Sequence, residues 1–115
     1  MFTLIWTPEA RETYDTLLAK ARKQRKARKA KGKKKSSKAE GLFKQVDKTV
    51  RLLAANPKQP SLQTHKYRSL SHPYNKSESV FEAYVQQNTP AAYRLFWCYG
   101  PEAQQITVIA ITQHP

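Results

Sequence analysis

The segment YRLFWCYGPEAQQITVIAI (residues 93–111) predicts a β-hairpin, and this hairpin decides the fold. Large apolar residues stand at every second position in residues 93–99, which is the period of a strand. The run Gly100-Pro101-Glu102 has the composition of a turn. Residues 106–111 are apolar on both faces, as expected of a central strand. The segment therefore predicts two neighbouring strands of one sheet.

The sequence immediately upstream extends this sheet. Phe81, Ala83 and Val85 alternate with more polar positions, which predicts a further strand that ends at a turn near residues 88–90. Residues 57–79 are rich in proline and polar side chains and are interpreted as a loop, with a short ordered piece around 62–70.

The N-terminal half predicts a short strand followed by two helices. Phe2, Leu4 and Trp6 alternate, and Thr7-Pro8-Glu9 has the residues of a helix start. Two apolar stripes at helical spacing follow, the second beginning near Glu40 or Gly41 and ending at Asn56-Pro57. The stripes consist of Ala10, Tyr14, Leu17, Leu18 and Ala21, and of Phe43, Val46, Val50, Leu53 and Ala54.

The predicted order is β-α-α-β-β-β in a single domain, residues 1–115. This order favours an α+β fold in which a helical hairpin packs on one face of a twisted antiparallel sheet. A chain of 115 residues suits one small core. Residues from about 20 to 38 are expected to form a basic extension at the tip of the helical hairpin.

Charge is concentrated in that extension. The chain has 21 Lys or Arg, 8 Asp or Glu and a net charge of +13, and twelve of the basic residues lie between Lys20 and Lys38, where there is no acid. Such a block attracts polyanions such as nucleic acid, ribosomal RNA or an acidic protein, although a solvated loop without a specific role is the alternative.

Other features of the composition narrow the class of protein. A single cysteine, Cys98, excludes an intramolecular disulfide and is expected to be a small packing residue. The first residues read as a strand and not as a signal peptide, and no apolar stretch approaches the ~18 residues of a membrane span. We therefore expect a cytoplasmic protein without membrane association. The spacing of its three histidines and one cysteine indicates no metal site, and we expect no cofactor.

Four short stretches, taken in order, resemble the toxins of the RelE/ParE superfamily. Trp6–Ala10 is similar to the family's opening strand-to-helix step, and Asn56-Pro57 with residues 65–70 resembles the segment that joins helices to sheet. Residues 92–97 (AYRLFW) look like the arginine-bearing strand of RelE-like toxins. Residues 107–114 (TVIAITQH) resemble the last strand, which often ends in a basic residue or a histidine. The resemblance covers almost the whole chain except the basic extension.

The resemblance implies the toxin of a type II toxin–antitoxin system, held inactive by a cognate antitoxin protein. RelE-like members are ribosome-dependent endoribonucleases (mRNA interferases) that cut mRNA and inhibit translation, and this activity is the leading prediction here. ParE-like members inhibit DNA gyrase without being enzymes, which is the first alternative. A basic RNA-binding protein without catalysis is the second. Fold alone does not choose among them.

Metal-independent cleavage by the RNA's own 2′-OH needs a base, a cation for the phosphorane charge and an acid for the leaving oxygen. Arg94 matches the family's strand arginine and, by alternation, faces away from the helices, where it is placed to grip a phosphate. His114 follows the last strand and suits the role of general acid. The alternative is that the end of the chain is frayed and that His114 has no function. Register places Ile111 opposite Arg94.

Glu82 and Tyr84 are expected on the same open face as Arg94, with Glu82 as a base and Tyr84 as a stacking platform or proton donor. RelE itself carries lysines on the corresponding strand, so its mechanism does not transfer directly. Glu82 as an ordinary solvated strand residue is the alternative.

The remaining predicted site residues are cationic RNA contacts. They comprise His65, Lys66 and Arg68 in the loop before the sheet and, in the basic extension, Lys23, Arg25, Lys26, Arg28 and Lys29. His72, which precedes Pro73, is expected to shape a turn instead.

Overall fold

A computed structural model describes residues 1–113 of the chain. Its strands are β1 (Thr3–Trp6), β2 (His65–Tyr67), β3 (Val80–Tyr84), β4 (Tyr93–Tyr99) and β5 (Gln105–Gln113). Its helices are α1 (Pro8–Ala30) and α2 (Lys38–Ala55), with one 3-10 turn at Pro60–Leu62. The predicted order β-α-α-β-β-β is confirmed, and β2 is an additional short strand within the ordered piece expected around 62–70.

Side-chain caps set where the helices begin. Thr7 Oγ1 accepts a hydrogen bond from the Ala10 amide, with Pro8 in the first helical position. Helix α2 begins at Lys38, two residues before Glu40, because Ser37 and Glu40 form a capping box. The sequence-based start near Glu40 or Gly41 was therefore slightly late.

The five strands form one sheet in the order β1-β5-β4-β3-β2. Strand β1 runs parallel to β5, and the other neighbouring pairs are antiparallel, so the sheet is mixed and not antiparallel throughout. The chain between β1 and β5 comprises both helices and strands β2 to β4, so it provides the long connection that a parallel pair needs. Thr7 fixes the crossover by donating from its hydroxyl to the Ile109 carbonyl at 2.6 Å.

The main core lies between the helical hairpin and one face of the sheet. Val46, Val50 and Leu53 of α2 pack with Leu95 and Trp97 in this core, together with side chains of β5 and α1. The opposite face, here called the open face, carries a smaller apolar cluster of Val80, Phe96 and Cys98, partly covered by Tyr67. The predicted packing of the helices on one face is thus confirmed.

A β-bulge in β5 changes the predicted register. Phe96 pairs with Ala110 while Trp97 pairs with Val108, which leaves Ile109 as the extra residue. Arg94 is consequently opposite Thr112 and not Ile111. Sequence alternation alone does not reveal such an insertion.

The basic residues 20–38, here called the basic arm, form the tip of the helical hairpin. Arg28 stabilises the turn, since its Nε donates to both Glu40 carboxylate oxygens at 2.9 Å and its Nη1 donates to the Lys33 and Lys34 carbonyls. All other residues in the range 22–36 are exposed. In residues 1–113, neither helix is long and apolar enough to span a membrane.

Candidate functional site

Four polar or aromatic side chains meet on the open face. His65 pairs with Glu82 across β2 and β3, and Tyr84 pairs with Arg94 across β3 and β4. Because side chains alternate along a strand, these two cross-strand pairs project to the same side. We call His65, Glu82, Tyr84 and Arg94 the polar cluster. Sequence alternation predicted three of its members on this face, and the structure adds His65.

Glu82 and His65 form the tightest contact of the polar cluster. His65 Nε2 lies 2.6 Å from Glu82 Oε1, and the two side chains are 49% and 3% exposed. The other ring nitrogen, Nδ1, lies 3.1 Å from the Gln63 carbonyl oxygen. A carbonyl only accepts hydrogen bonds, so Nδ1 is the donor there. A buried carboxyl thus orients a half-exposed imidazole.

Arg94 is more enclosed than the sequence suggested. Its guanidinium carbon stands 3.9 Å from the centre of the Tyr84 ring, the geometry of a cation–π contact. Its Nη1 donates to the Gln86 carbonyl at 2.9 Å and to the Tyr93 carbonyl at 3.2 Å, and its Nε is 4.0 Å from Glu82 Oε2. Its side chain is 11% exposed. Arg94 therefore both anchors the β3–β4 loop and places positive charge beside Glu82.

Gln86 and Gln63 support the cluster and were not predicted. The Gln86 side chain accepts from the Tyr93 amide and donates to Gln45 of α2, while its carbonyl accepts from Arg94. The Gln63 carbonyl holds the His65 ring, as described above. Neither residue carries a sequence signal, because their contacts depend on the pairing of β2 and β3 and on the path of a loop.

The other predicted RNA contacts do not join the polar cluster. Lys66 pairs with Phe81, whose ring packs in the main core, so alternation turns Lys66 away from the open face. Arg68 is exposed beyond the end of β2. In the basic arm, Lys23, Arg25, Lys26 and Lys29 are exposed, whereas Arg28 is bound to Glu40. His114 lies outside the described residues.

The surroundings of His72 and Cys98 indicate structural roles for both residues. His72 is buried, its Nδ1 accepts from the Tyr74 and Asn75 amides, and its Nε2 lies 2.9 Å from the Tyr99 carbonyl, which confirms that it shapes a turn. Burial, with a smaller effect of the Glu78 charge, raises the pKa of Cys98 to about 11. A thiol with that pKa stays protonated near neutral pH and is unreactive. Across residues 1–113, no three His, Cys, Asp or Glu side chains form a metal-ligand group.

Three solved structures share this architecture over nearly the whole chain. A YoeB/ParE toxin from Agrobacterium tumefaciens superimposes with a TM-score of 0.61 at 11% identity, covering 98% of this chain and 99% of the other. The YoeB dimer from Staphylococcus aureus gives 0.57 at 11% identity, with 99% and 98% covered. A copper-bound mutant toxin from Helicobacter pylori gives 0.55 at 13% identity, with 99% and 96% covered.

The likeness to known proteins is found in the structure and not in the sequence. No family model matches the chain, and no curated protein matches it. At 11–13% identity, the structural likeness extends over essentially the full length of both chains in each comparison. The fold implied by the sequence resemblance is thereby confirmed: the chain has the fold of the RelE/ParE toxins.

Proposed function

We propose that the protein is the toxin of a type II toxin–antitoxin system and acts as a ribosome-dependent mRNA endoribonuclease. The observation that carries this proposal is the His65–Glu82 pair, a buried carboxyl oriented against a half-exposed imidazole beside the Arg94 guanidinium. The toxin fold supports the first part of the proposal. The partners are a cognate antitoxin protein, the ribosome and mRNA.

The proposed reaction uses the RNA's own 2′-hydroxyl. The 2′-oxygen attacks the adjacent phosphorus as its proton passes to His65 Nδ1. For this step the contact of Nδ1 with Gln63 gives way to substrate, and the neutral imidazole carries its proton on Nε2, facing the Glu82 carboxylate. The bond from phosphorus to the 5′-oxygen then breaks, leaving a 2′,3′-cyclic phosphate and a 5′-hydroxyl. Positioned acid–base groups contribute about 10²–10⁴-fold in such reactions.

Two further residues complete the proposed chemistry. Arg94 stabilises the negative charge that develops on the phosphorane, from its fixed position over Tyr84. His114 is the proposed acid for the leaving 5′-oxygen, because it directly follows Gln113, the last residue of β5. Tyr84 holds Arg94 and is available to stack on a base.

One observation favours the non-enzymatic alternative, inhibition of DNA gyrase. Arg94 donates to two backbone carbonyls and is almost enclosed, so it has less capacity for a phosphate than a free arginine. In a gyrase inhibitor, Arg94 would only anchor the β3–β4 loop, and the helices would contact the target.

Expression in bacterial cells followed by mapping of mRNA 5′ ends tests the proposal. Wild type, His65→Ala, Arg94→Lys and the matched control Glu102→Gln, at an exposed turn, are compared. We expect cuts inside translated codons with wild type and control, and their loss with His65→Ala. Arg94→Lys keeps the charge but not the guanidinium geometry, so we expect fewer cuts with an intact fold.

Two other results would overturn the endoribonuclease assignment. Growth arrest with intact mRNA and accumulated DNA breaks would assign the protein to gyrase inhibition. Equal cutting by wild type and His65→Ala would show that the His65–Glu82 pair takes no part in the chemistry. Circular dichroism of each variant separates loss of activity from loss of fold.

A further inference from the structure

The basic arm carries charge that the polar cluster does not use. It holds twelve Lys or Arg residues and no Asp or Glu, and of these twelve only Arg28 forms a close ion pair with an acid within residues 1–113, Glu40. All the other basic residues of the arm are exposed. The twelve are Lys20, Arg22, Lys23, Arg25, Lys26, Arg28, Lys29, Lys31, Lys33, Lys34, Lys35 and Lys38.

The composition of the arm limits what it can recognise. Residues 20–38 contain no Phe, Trp or Tyr. Proteins that bind single-stranded nucleic acid combine cations with aromatic side chains on which bases stack. An arm without aromatic residues lacks the ring platforms on which unpaired bases stack, and its nine lysines contact phosphates. A duplex, whose bases are stacked inside and whose phosphates are dense, suits such a surface best.

The arm is also preformed. Helix α1 continues without a break from the core to Ala30, so about 15 Å of exposed helix follows Lys20. The Arg28–Glu40 pair and the Ser37–Glu40 capping box hold the turn between the helices. A flexible basic tail would lose backbone conformational entropy when it binds, whereas in this arm the helix already fixes the backbone that carries the lysines of α1.

The dimensions of the arm decide how it approaches a duplex. Two packed helices are together about 20 Å wide, more than the ~12 Å of the B-DNA major groove, and the A-form major groove is narrower still. The arm therefore lies across phosphate backbones instead of entering a groove. Such contacts fix position without reading sequence.

We propose that the basic arm is a sequence-independent binding site for the phosphate backbone of double-stranded RNA, separate from the polar cluster. The choice of RNA over DNA rests on the proposed ribosomal function, since ribosomal RNA is largely duplex. Lys23 and Lys26, three residues apart on the helix, form the centre of the site with Lys29.

Fluorescence anisotropy with the full-length protein tests the proposal. The probes are a labelled RNA duplex, a DNA duplex of the same sequence and one RNA strand alone, each titrated at several salt concentrations. The variant replaces Lys23, Lys26 and Lys29 with Gln. A control of equal charge replaces Lys48, Lys58 and Lys76, which are exposed on the body of the protein.

We expect the arm variant to bind the RNA duplex about ten- to a hundredfold more weakly than wild type, with a salt slope smaller by about 2–3. The control should bind within about threefold of wild type, and the single strand more weakly than the duplex. Equal losses in both variants would overturn the proposal, because binding would then follow net charge and not the arm.

Two further outcomes also count against it. A tenfold or greater preference for the DNA duplex would assign the arm to DNA. Displacement of the RNA duplex by polyglutamate at equal charge concentration would instead indicate an acidic protein partner. The assay requires no cleavage, so duplex binding without nuclease activity would overturn only the proposed function, and nuclease activity without duplex binding would overturn only this inference.

Discussion

The polar cluster and the basic arm are both rich in polar groups, but their positions are determined in different ways. The polar cluster lies on a sheet whose other face forms the main core, and each of its four side chains has a close defined contact. The arm beyond Ala21 contacts solvent on nearly every side, and only the Arg28–Glu40 pair organises its charges. The cluster is defined by geometry and the arm by charge.

The two regions should therefore differ in how they tolerate substitution of a side chain. A group that acts through geometry fails when one side chain changes, because its neighbours lose their partner. A surface that acts through summed charge loses function gradually as each cation is removed.

The largest effect should come from the polar cluster. We expect Glu82→Gln to lower RNA cleavage by about 10²–10⁴-fold, because the amide keeps the shape of the carboxyl but lacks the negative charge that stabilises the His65 ring when it takes the proton. Cleavage is measured on programmed ribosomes at fixed enzyme concentration. Loss of the same size at low and high salt is expected, since the change removes chemistry and not long-range attraction.

The outcome that contradicts this prediction is a salt-dependent loss that disappears when substrate saturates. Glu82 would then assist binding, as the lysines of the arm are proposed to do. Glu102→Gln, which makes the same chemical change in an exposed turn, should leave cleavage at the wild-type level.

The sequence predicted the scaffold of the polar cluster better than its contacts. Alternation in β3 and β4 placed Glu82, Tyr84 and Arg94 on the open face because a strand has a fixed period of two. His65 was expected in a loop, since β2 is only three residues long and its pairing with β3 depends on contacts distant in sequence. The burial of Arg94 was also missed, because the loop carbonyls that it binds carry no signal in composition.

The basic arm shows the opposite pattern. Its charge and its position at the tip of the helical hairpin were evident from residues 20–38 alone. Among the arm residues predicted to contact RNA, Arg28 is the one that pairs with an acid of the chain, Glu40, and this pair was not predicted. Arg28 lies in α1 and Glu40 lies in α2, on opposite sides of the turn. Helical periodicity predicts contacts within one helix and not contacts across a turn, so this pair is not evident from the sequence.

The second prediction compares the two regions by stability. Leu53→Ala should lower the free energy of unfolding by about 2–5 kcal/mol, because Leu53 is fully buried beneath the sheet. Lys26→Ala, in the exposed part of α1, should change it by less than about 0.5 kcal/mol. Urea denaturation followed by circular dichroism measures both. Equal destabilisation would mean that the arm belongs to the cooperative core.

The third prediction concerns the turn of the arm at low pH. The backbone hydrogen bond from Ser37, together with the bonds from Arg28, lowers the pKa of Glu40 below its ordinary value of 4.5. The folded form is therefore favoured while Glu40 is ionised, and this contribution is lost as the pH falls through the lowered pKa. The protection factors of the Lys33 and Ser37 amides, which donate to the Arg28 carbonyl and the Glu40 carboxylate, should fall at acid pH before those of the sheet amides do. In Glu40→Gln this pH dependence should be absent, because the amide keeps the cap but does not titrate.

The smallest effect is expected at Cys98, which lies on the open face near the polar cluster but is not part of it. Burial raises its pKa to about 11, so thiolate is scarce at neutral pH. Alkylation by iodoacetamide should be slow in the folded protein at pH 8 and rapid in urea, as followed by mass spectrometry. Cys98→Ala should retain wild-type RNA cleavage, because only packing is lost. A rapidly labelled thiol would show instead that the open face admits solvent down to the sheet, and the enclosure of Arg94 and Glu82 would then be transient as well.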